Sequence, residues 1–429
     1  MPPSTVDGLR ILVIGAGPAG LCSARHILAS SHGTPFPKFA APVVLERSGA
    51  IGGTWVYGDT PLYMSLRTNL PVEIMSFLDY PFPRNGPDDE SYVHHSEVLT
   101  YLKQYVEHHD ILKYVKFRQE VQLVERVTTG GDSGGTKWKV KWCDLDTNEC
   151  HEDIFDAVMV CNGNYSKPFI PEIPGIECFQ GDILHSKDYR VPEIEVFTGK
   201  EVVILGSSFS AIDISQDIAP VAKRVTICDR SCRKILKEFP DNVSLSGNIN
   251  RAEEHGFILE DGTHCPADTL IYCTGYLYDI PFLGQNCKIE VLNGDFVRPL
   301  YKHIVNIEHP TMGFIGVPRL AIPFVLFDHQ AQYYLKTLTG EIELPSQEDM
   351  WRESSQSTPG KGHILLHDAE WDYYKDLAKS AGLPTLPPVI KRIKNDSMCS
   401  LRREISPFKL FKYEVLDGEN FKKTAIKTI

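Results

Sequence analysis

Short runs of apolar, β-branched residues alternate with longer amphipathic stretches in the first third of the chain, and the same alternation restarts after residue 200. Ile11-Leu-Val-Ile14 has strand length, a helical stretch follows to about Ala29, and Ala41-Pro-Val-Val-Leu-Glu46 is the next strand. That order predicts a β-α-β unit. Glu201-Val-Val-Ile-Leu205, a helix to about Ile218 and Arg224-Val-Thr-Ile-Cys228 predict a second, and Leu270-Ile-Tyr-Cys-Thr-Gly275 reads as another strand entering a turn. Between Val121 and Val158, runs such as Trp138-Lys-Val-Lys-Trp142 alternate as hairpin strands do. Helical patterning returns near Ser96 to Val106 and from about Gln330, while Ser30 to Ala40 and Gly130 to Gly135 read as loops.

Composition narrows the classes. The 429 residues suggest two or three domains, and 42% hydrophobic with 23% charged residues is ordinary for a globular protein. A net charge of −12 argues against nucleic acid as the main partner. No apolar run reaches about 18 residues, so no integral membrane anchor is expected, and the start of the chain lacks the pattern of a signal peptide. A cytoplasmic location is the expectation. The basic C-terminal stretch 391–429 reads as a solvated tail packed across a domain. Eleven cysteines lie scattered without C-x-x-C; Cys143/Cys150 and Cys228/Cys232 are the nearest pairs. Reduced thiols are expected, without a disulfide framework or a metal site.

Both β-α-β units carry a chemistry-bearing turn. In Gly15-x-Gly17-x-x-Gly20 the first glycine permits the tight turn, the second lets backbone approach a pyrophosphate, and the third lets helix pack on strand. Pro18 and Ala19 open the helix, whose N-terminus offers N–H donors and a positive dipole end. Glu46 ends the second strand, where a carboxylate can bind ribose hydroxyls. The following Gly52-Gly53-Thr54-Trp55 is a pattern of FAD domains rather than of NAD dehydrogenases. The second turn, Gly206-Ser207-Ser208-Phe209-Ser210-Ala211, has serine at the second glycine position. A hydroxyl there can still donate to a phosphate. Beyond its strand, Asp229 suits the free ribose of NAD. Arg230, Arg233 and Lys234 suit the 2′-phosphate of NADP, which is favoured.

Between the folds lies Phe179-x-Gly181-x-x-x-His185-x-x-x-Tyr189. With this motif the sequence resembles the flavin-containing monooxygenase family. Ser65-Leu-Arg-Thr-Asn69-Leu-Pro71, Tyr80-Pro-Phe-Pro83, Val160-Cys-Asn-Gly163, Ile271-Tyr-Cys-Thr274-Gly275-Tyr276, Pro299-Leu-Tyr-Lys-His303 and Gln330-Ala-Gln332 resemble further family blocks. The resemblance spans about residues 10–335. It implies an α/β fold of two Rossmann-like dinucleotide-binding domains, with the NADPH domain inserted in the FAD domain. The boundaries read from the sequence are 1–166 for the first part of the FAD domain, 167–295 for the NADPH domain, and 296–429 for the second part of the FAD domain with the tail. FAD would be held by Gly15, Gly17, Pro18, Ala19, Gly20, Glu46, Gly53, Thr54, Trp55, Asn69 and Gln330. NADPH would be held by Gly206, Ser207, Ser208, Ser210, Arg230 and Thr274.

The resemblance also implies the reaction. NADPH reduces FAD, O₂ adds to give a flavin C4a-hydroperoxide, and an amine or sulfide takes the distal oxygen. Asn69 would be the catalytic residue, its amide keeping the intermediate from collapsing to H₂O₂. The Thr-Asn-Leu-Pro wording and compact size resemble insect members that N-oxygenate pyrrolizidine alkaloids, which implies N-oxide formation in alkaloid detoxification. His185 reads as a structural tie between domains. His94-His95 and His108-His109 lack a metal-ligand pattern and read as surface or local packing. A Baeyer–Villiger monooxygenase, an NADPH oxidase and a non-catalytic redox sensor are the competing functions. Arg190 after Tyr189 favours N- or S-oxygenation over the Baeyer–Villiger reaction, and a dithiol reductase would need a close cysteine pair. A homo-oligomer stays open.

Overall fold

A computed structural model describes residues 8–31, 38–84, 90–128, 136–230, 239–355, 363–365, 367–403, 409 and 411–426. The loop sequences 32–37 and 130–135 and the residues Arg233 and Lys234 lie outside that range.

Two parallel sheets organise the chain. In the first, the strand Ile11–Ile14 is central, flanked by Val43–Leu45 and Ala157–Val160. Ile11–Ile14 and Ala157–Val160 are buried at every position, as strands covered on both faces must be. Val115–Lys116 extends one edge; Met312–Phe314 joins the other in parallel, followed by the antiparallel strands Val305–Asn306 and Leu300–Tyr301. Helix Pro18–Ser31 packs against helix Pro323–Leu338 on one face. On the other, the antiparallel sheet of Gln119–Thr128, Thr136–Asp144 and Cys150–Phe155 adds Trp138, Val140 and Phe155 to a core with Leu12, Val158 and Phe314.

The chain leaves this sheet after Val160 and rejoins it at Leu300. Between lies the second sheet, all parallel, in the order Val243–Ser246, Arg224–Cys228, Glu201–Leu205, Thr269–Tyr272, Asp182–His185. The two crossings pair with each other, Lys167–Pro168 running antiparallel to Tyr276–Leu277. The second dinucleotide fold is therefore an insertion in the first, on a two-stranded linker. His185 sits at that linker, buried, with both ring nitrogens engaged. The Lys187 N–H donates to Nδ1 (3.0 Å), and Nε2 faces the Gly275 carbonyl (3.1 Å). Burial lowers its pKa, so the neutral ring acts as a tie.

Three expectations need correction. Cys143 and Cys150 form a disulfide. They are direct cross-strand partners in the hairpin, with Cα atoms 4.1 Å apart, a pairing that strand register creates and a search for C-x-x-C misses. Cys22, Cys161, Cys178, Cys265, Cys273, Cys287 and Cys399 are in no disulfide. The C-terminal stretch is more than a solvated tail. Phe411–Val415 and Phe421–Ala425 form a hairpin that buries Tyr413 against Tyr92 and helix Pro388–Arg403, and the Tyr413 N–H donates to Ser91 Oγ (2.8 Å). Helix Pro323–Leu338 also begins earlier than its predicted start near Gln330, with proline at its first turn. Of the histidine pairs, His94 caps helix His95–His108, and its Nδ1 accepts from the Ser96 N–H.

Candidate functional site

Both glycine turns lie at the carboxyl ends of their central strands, where ligands bind in open α/β sheets. At the first, Gly15 takes φ +103°, and a Cβ there would come within 2.7 Å of the Cys161 carbonyl oxygen. Gly20 has no room at all, since a Cβ would overlap the Gly15 carbonyl. Gly17 faces Gly53 across the turn, and a Cβ on Gly53 would come within 2.9 Å of the Gly17 Cα. Two backbone segments thus meet bare, leaving a cradle that any side chain would fill. Gly53, Thr54 and Trp55 form a single 3-10 turn anchored by the Gly52 N–H, which donates to the Ala16 carbonyl (2.9 Å). Pro18 and Ala19 start the helix directly above.

Glu46 follows its strand as expected. Its Oε2 accepts from the Ala16 N–H (2.6 Å) and Oε1 from the Ser48 N–H (2.7 Å). Those bonds fix the carboxylate beside the glycine turn, and its remaining lone pairs can accept ribose hydroxyls.

The second turn repeats part of this. Gly206 takes φ +114°, and a Cβ there would overlap the Cys273 carbonyl. Ser207 sits in the turn, and Ser208 is the exposed N-cap of helix Phe209–Ile218, its side chain making no capping hydrogen bond. Ser210 lies in the first helical turn. Arg230 is exposed just past the strand end. Thr274 lies on the linker, its hydroxyl donating to the Phe169 carbonyl. The thiols beside the two turns are inert acids: burial pushes Cys161 and Cys273 each up to about 12.

The segment bearing Asn69 spans both folds. Ser65 Oγ donates to Asp217 (2.8 Å), Tyr63 Oη to Asp213 (2.9 Å), and the Met64 N–H to the Arg190 carbonyl (2.9 Å). Tyr189 Oη also donates to Asp217 (2.6 Å), and Arg190 Nη2 donates to the Gly58 carbonyl (2.5 Å). The second half of the motif that begins at Phe179 is therefore a clamp on the first fold. Asn69 Oδ1 is buried and accepts no hydrogen bond. An unsatisfied buried amide is rare and marks a place for a ligand partner. Gln330 is different. It is fully buried, its Oε1 accepts from the Gly316 N–H (2.8 Å) and its Nε2 donates to Tyr373 (2.7 Å).

The paired contacts of Tyr63 and Ser65 with Asp213 and Asp217 were not readable in the sequence. They join residues some 150 positions apart, and single polar residues at that separation carry no local pattern. The only cluster with metal-ligand potential among the described residues is Cys22, His26 and Asp328, within 4.8 Å of one another. It is buried and already paired: His26 Nε2 meets Asp328 at 2.7 Å, and Gln332 donates to the other carboxylate oxygen (2.9 Å).

Comparison with known proteins decides the family. The family described as flavin-binding monooxygenase-like matches residues 8–243 and 239–370. The chain belongs to that family. FAD and NADPH are its cofactors, and the bare cradle between Gly17 and Gly53 fits the first of them. Flavin-containing monooxygenase FMO GS-OX-like 2 of Arabidopsis thaliana is 35% identical over 419 residues, covering 90% of this chain and 87% of the plant protein. S-allyl-L-cysteine S-oxygenase from Allium sativum superposes with a TM-score of 0.84 at 33% identity, covering 94% and 95% of the two chains. Cyclohexanone monooxygenase from Rhodococcus sp. Phi1 shares the fold at a TM-score of 0.59 and 15% identity, over 88% and 98%. This oxidoreductase has no helix, among its described residues, long and apolar enough to cross a membrane.

Proposed function

We propose that this protein is an NADPH- and O₂-dependent monooxygenase that oxygenates a soft nucleophile, and that sulfur is the preferred atom. The observation that carries the reading is Asn69. Its buried, unpartnered Oδ1 sits on a segment held by both dinucleotide folds. A group at that junction can touch whatever passes between the two cofactors. The likeness to an S-oxygenase favours sulfide over amine. N-oxidation of a tertiary amine alkaloid in detoxification rests on the Thr68-Asn69-Leu70-Pro71 wording and compact size.

In this reading FAD lies at Gly15, Gly17, Pro18, Ala19 and Gly20, with Glu46 on its ribose and Gly53, Thr54 and Trp55 beside the phosphate and ring. NADPH lies at Gly206, Ser207, Ser208 and Ser210, with Arg230 on the 2′-phosphate, and Thr274 serves by fixing the linker. Gln330 acts through Gly316, holding the loop that follows Met312–Phe314. Residues 1–166 and 296–429 form the FAD domain and 167–295 the NADPH domain. When bound, the flavin supplies the oxygen chemistry with electrons from NADPH. The protein's part is to orient, to exclude water, and to offer the Asn69 amide as a hydrogen-bond partner to the reacting oxygen. No nucleophile or paired carboxylate is needed. A cytoplasmic location fits this chemistry, and a homo-oligomer is compatible with it.

The test compares Asn69→Ala with the parent protein. Both should bind FAD and oxidise NADPH, but the variant should release H₂O₂ and form little S-oxide. Equal yields of S-oxide per NADPH would remove Asn69 from the mechanism.

A further inference from the structure

We propose that Arg319 is the anion-recognising residue of the substrate site, so that the molecule oxygenated carries a carboxylate or similar oxyanion beside its soft nucleophile. This rests on the oxygenase reading above and narrows its substrate class.

Arg319 lies on the loop that leaves Met312–Phe314 at the carboxyl edge of the first sheet, the edge that carries the glycine turn. The linker closes over that loop. Asn164 Nδ2 donates to the Gly316 carbonyl (2.6 Å), and Tyr278 Oη donates to the Val317 carbonyl (2.7 Å). The Arg319 backbone is pinned on both sides: its N–H donates to the His363 carbonyl (2.7 Å), and its carbonyl accepts from the Leu365 N–H (3.2 Å). The guanidinium is thereby fixed over the Tyr278 ring, 4.1 Å from its centroid.

This cation is incompletely partnered. Its Nε and Nη2 are buried and make no hydrogen bond. No carboxylate lies within 4.0 Å of it among the described residues, and residues 356–362 and Leu366, which flank its partner segment, contain no Asp or Glu. Two buried guanidinium N–H groups left without acceptors are unfavourable unless a ligand completes them. Guanidinium donors in a fixed fork match a carboxylate in two-point geometry. The surroundings suit an apolar body on that anion, because Tyr165 and Leu320 next to the linker are 47% and 48% exposed. A protonated amine would be repelled here, so the charge also favours sulfides over alkaloid amines.

The experiment uses full-length holoenzyme with Arg319→Met, which keeps an apolar stem on Tyr278, and Arg319→Lys. The probes are S-benzyl-thioglycolate, a benzyl alkyl sulfide bearing a carboxylate, and its methyl ester. Loss of one charge-assisted contact should lower kcat/KM for the carboxylate about 10- to 100-fold in Arg319→Met, with Lys recovering part. The ester and the KM for NADPH should move less than about twofold, the scatter expected of a contact that is not made. Equal losses on acid and ester would overturn the proposal, as would a raised KM for NADPH, which would put Arg319 on the dinucleotide. Equilibrium binding of the carboxylate to oxidised enzyme is the second readout. If the parent protein oxygenates neither probe, the oxygenase reading has failed; selective binding of the acid that Arg319→Met abolishes would still support Arg319. Binding that is indifferent to the charge would overturn it. A flavin-free or unfolded Arg319→Met shifts the same comparison to Arg319→Lys, whose acid-selective loss supports the proposal and whose unselective loss overturns it.

Discussion

The two glycine turns answer the same architectural problem with different residues. In each, the first glycine abuts the carbonyl of the residue just after a neighbouring parallel strand, Cys161 for Gly15 and Cys273 for Gly206. That glycine is dictated by the fold, through a positive φ and a close backbone approach. The third position separates them. Gly20 is pressed against the Gly15 carbonyl, while Ala211 fits at the matching place with its methyl buried. At the second position Gly17 faces Gly53 bare, whereas Ser208 is an exposed helix cap. The first turn is closed on both sides by backbone and the second is open on one. A flavin kept permanently suits the former, and a dinucleotide that binds and leaves suits the latter.

Breaking the first turn should have the largest effect. Gly20→Ala forces helix and turn apart and should yield apoprotein or no folded protein, read by flavin absorbance in the purified chain. Ala211→Gly in the second turn should cost only about 1 kcal/mol, read by thermal unfolding, because it removes a methyl and adds chain entropy. Equal damage from the two would erase the distinction. Next in size, Asn69→Ala should lower the yield of oxygenated product per NADPH by at least about tenfold, the scale of one lost preorganised hydrogen-bonding group, with FAD retained. Arg230→Ala should raise the KM for NADPH about tenfold, the value of one charge-assisted contact, and leave NADH unaffected. An NADH change of the same size would instead mean that the second turn had collapsed.

A further effect concerns acid. His303 and His363 touch through their Nδ1 atoms at 2.7 Å in the part of the chain that rejoins the first sheet. Burial, helped by the Lys302 charge, lowers His303 from 6.5 to about 4, and burial, helped by His303 and Arg319, lowers His363 from 6.5 to about 3. Their folded pKa values lie below the unfolded one, so the unfolded chain binds more protons as pH falls below 6.5. Stability contributed by the neutral pair is complete above 6.5 and is lost as pH drops towards 4. The slope should approach about 1.4 kcal/mol per histidine per pH unit. The unfolding temperature should therefore fall between pH 7 and pH 5, and His303→Asn should make that fall shallower. An unchanged slope would remove the pair from the acid sensitivity of this fold.

Local sequence carried a large part of this account. Turns that need glycine announce themselves, because Gly15, Gly20 and Gly206 sit where a Cβ meets a carbonyl and no other residue substitutes. His185 was legible as a tie only through the family resemblance of the motif that carries it, and that motif lies at the linker. Features made by register or by distant pairing were not. Cys143 and Cys150 become partners only once the hairpin register is set, and Tyr63 and Asp213 only once one fold closes on the other. The C-terminal hairpin left a signal in the alternation of Phe411-Lys-Tyr-Glu-Val415 and the Asp417-Gly418 turn, beneath a basic composition that suggests a solvated tail. Gln330 is well placed in sequence, yet its amide faces protein, which only the packing of its helix reveals.

The central claim is that oxygen from O₂ ends on a soft nucleophile at the junction of the two folds. Turnover of a sulfide under oxygen-18 gas, with NADPH consumption followed in parallel, tests it most directly. S-oxide carrying the heavy isotope should form in equal amount to the NADPH consumed. NADPH consumption with H₂O₂ as the only product would contradict it and make the protein an oxidase.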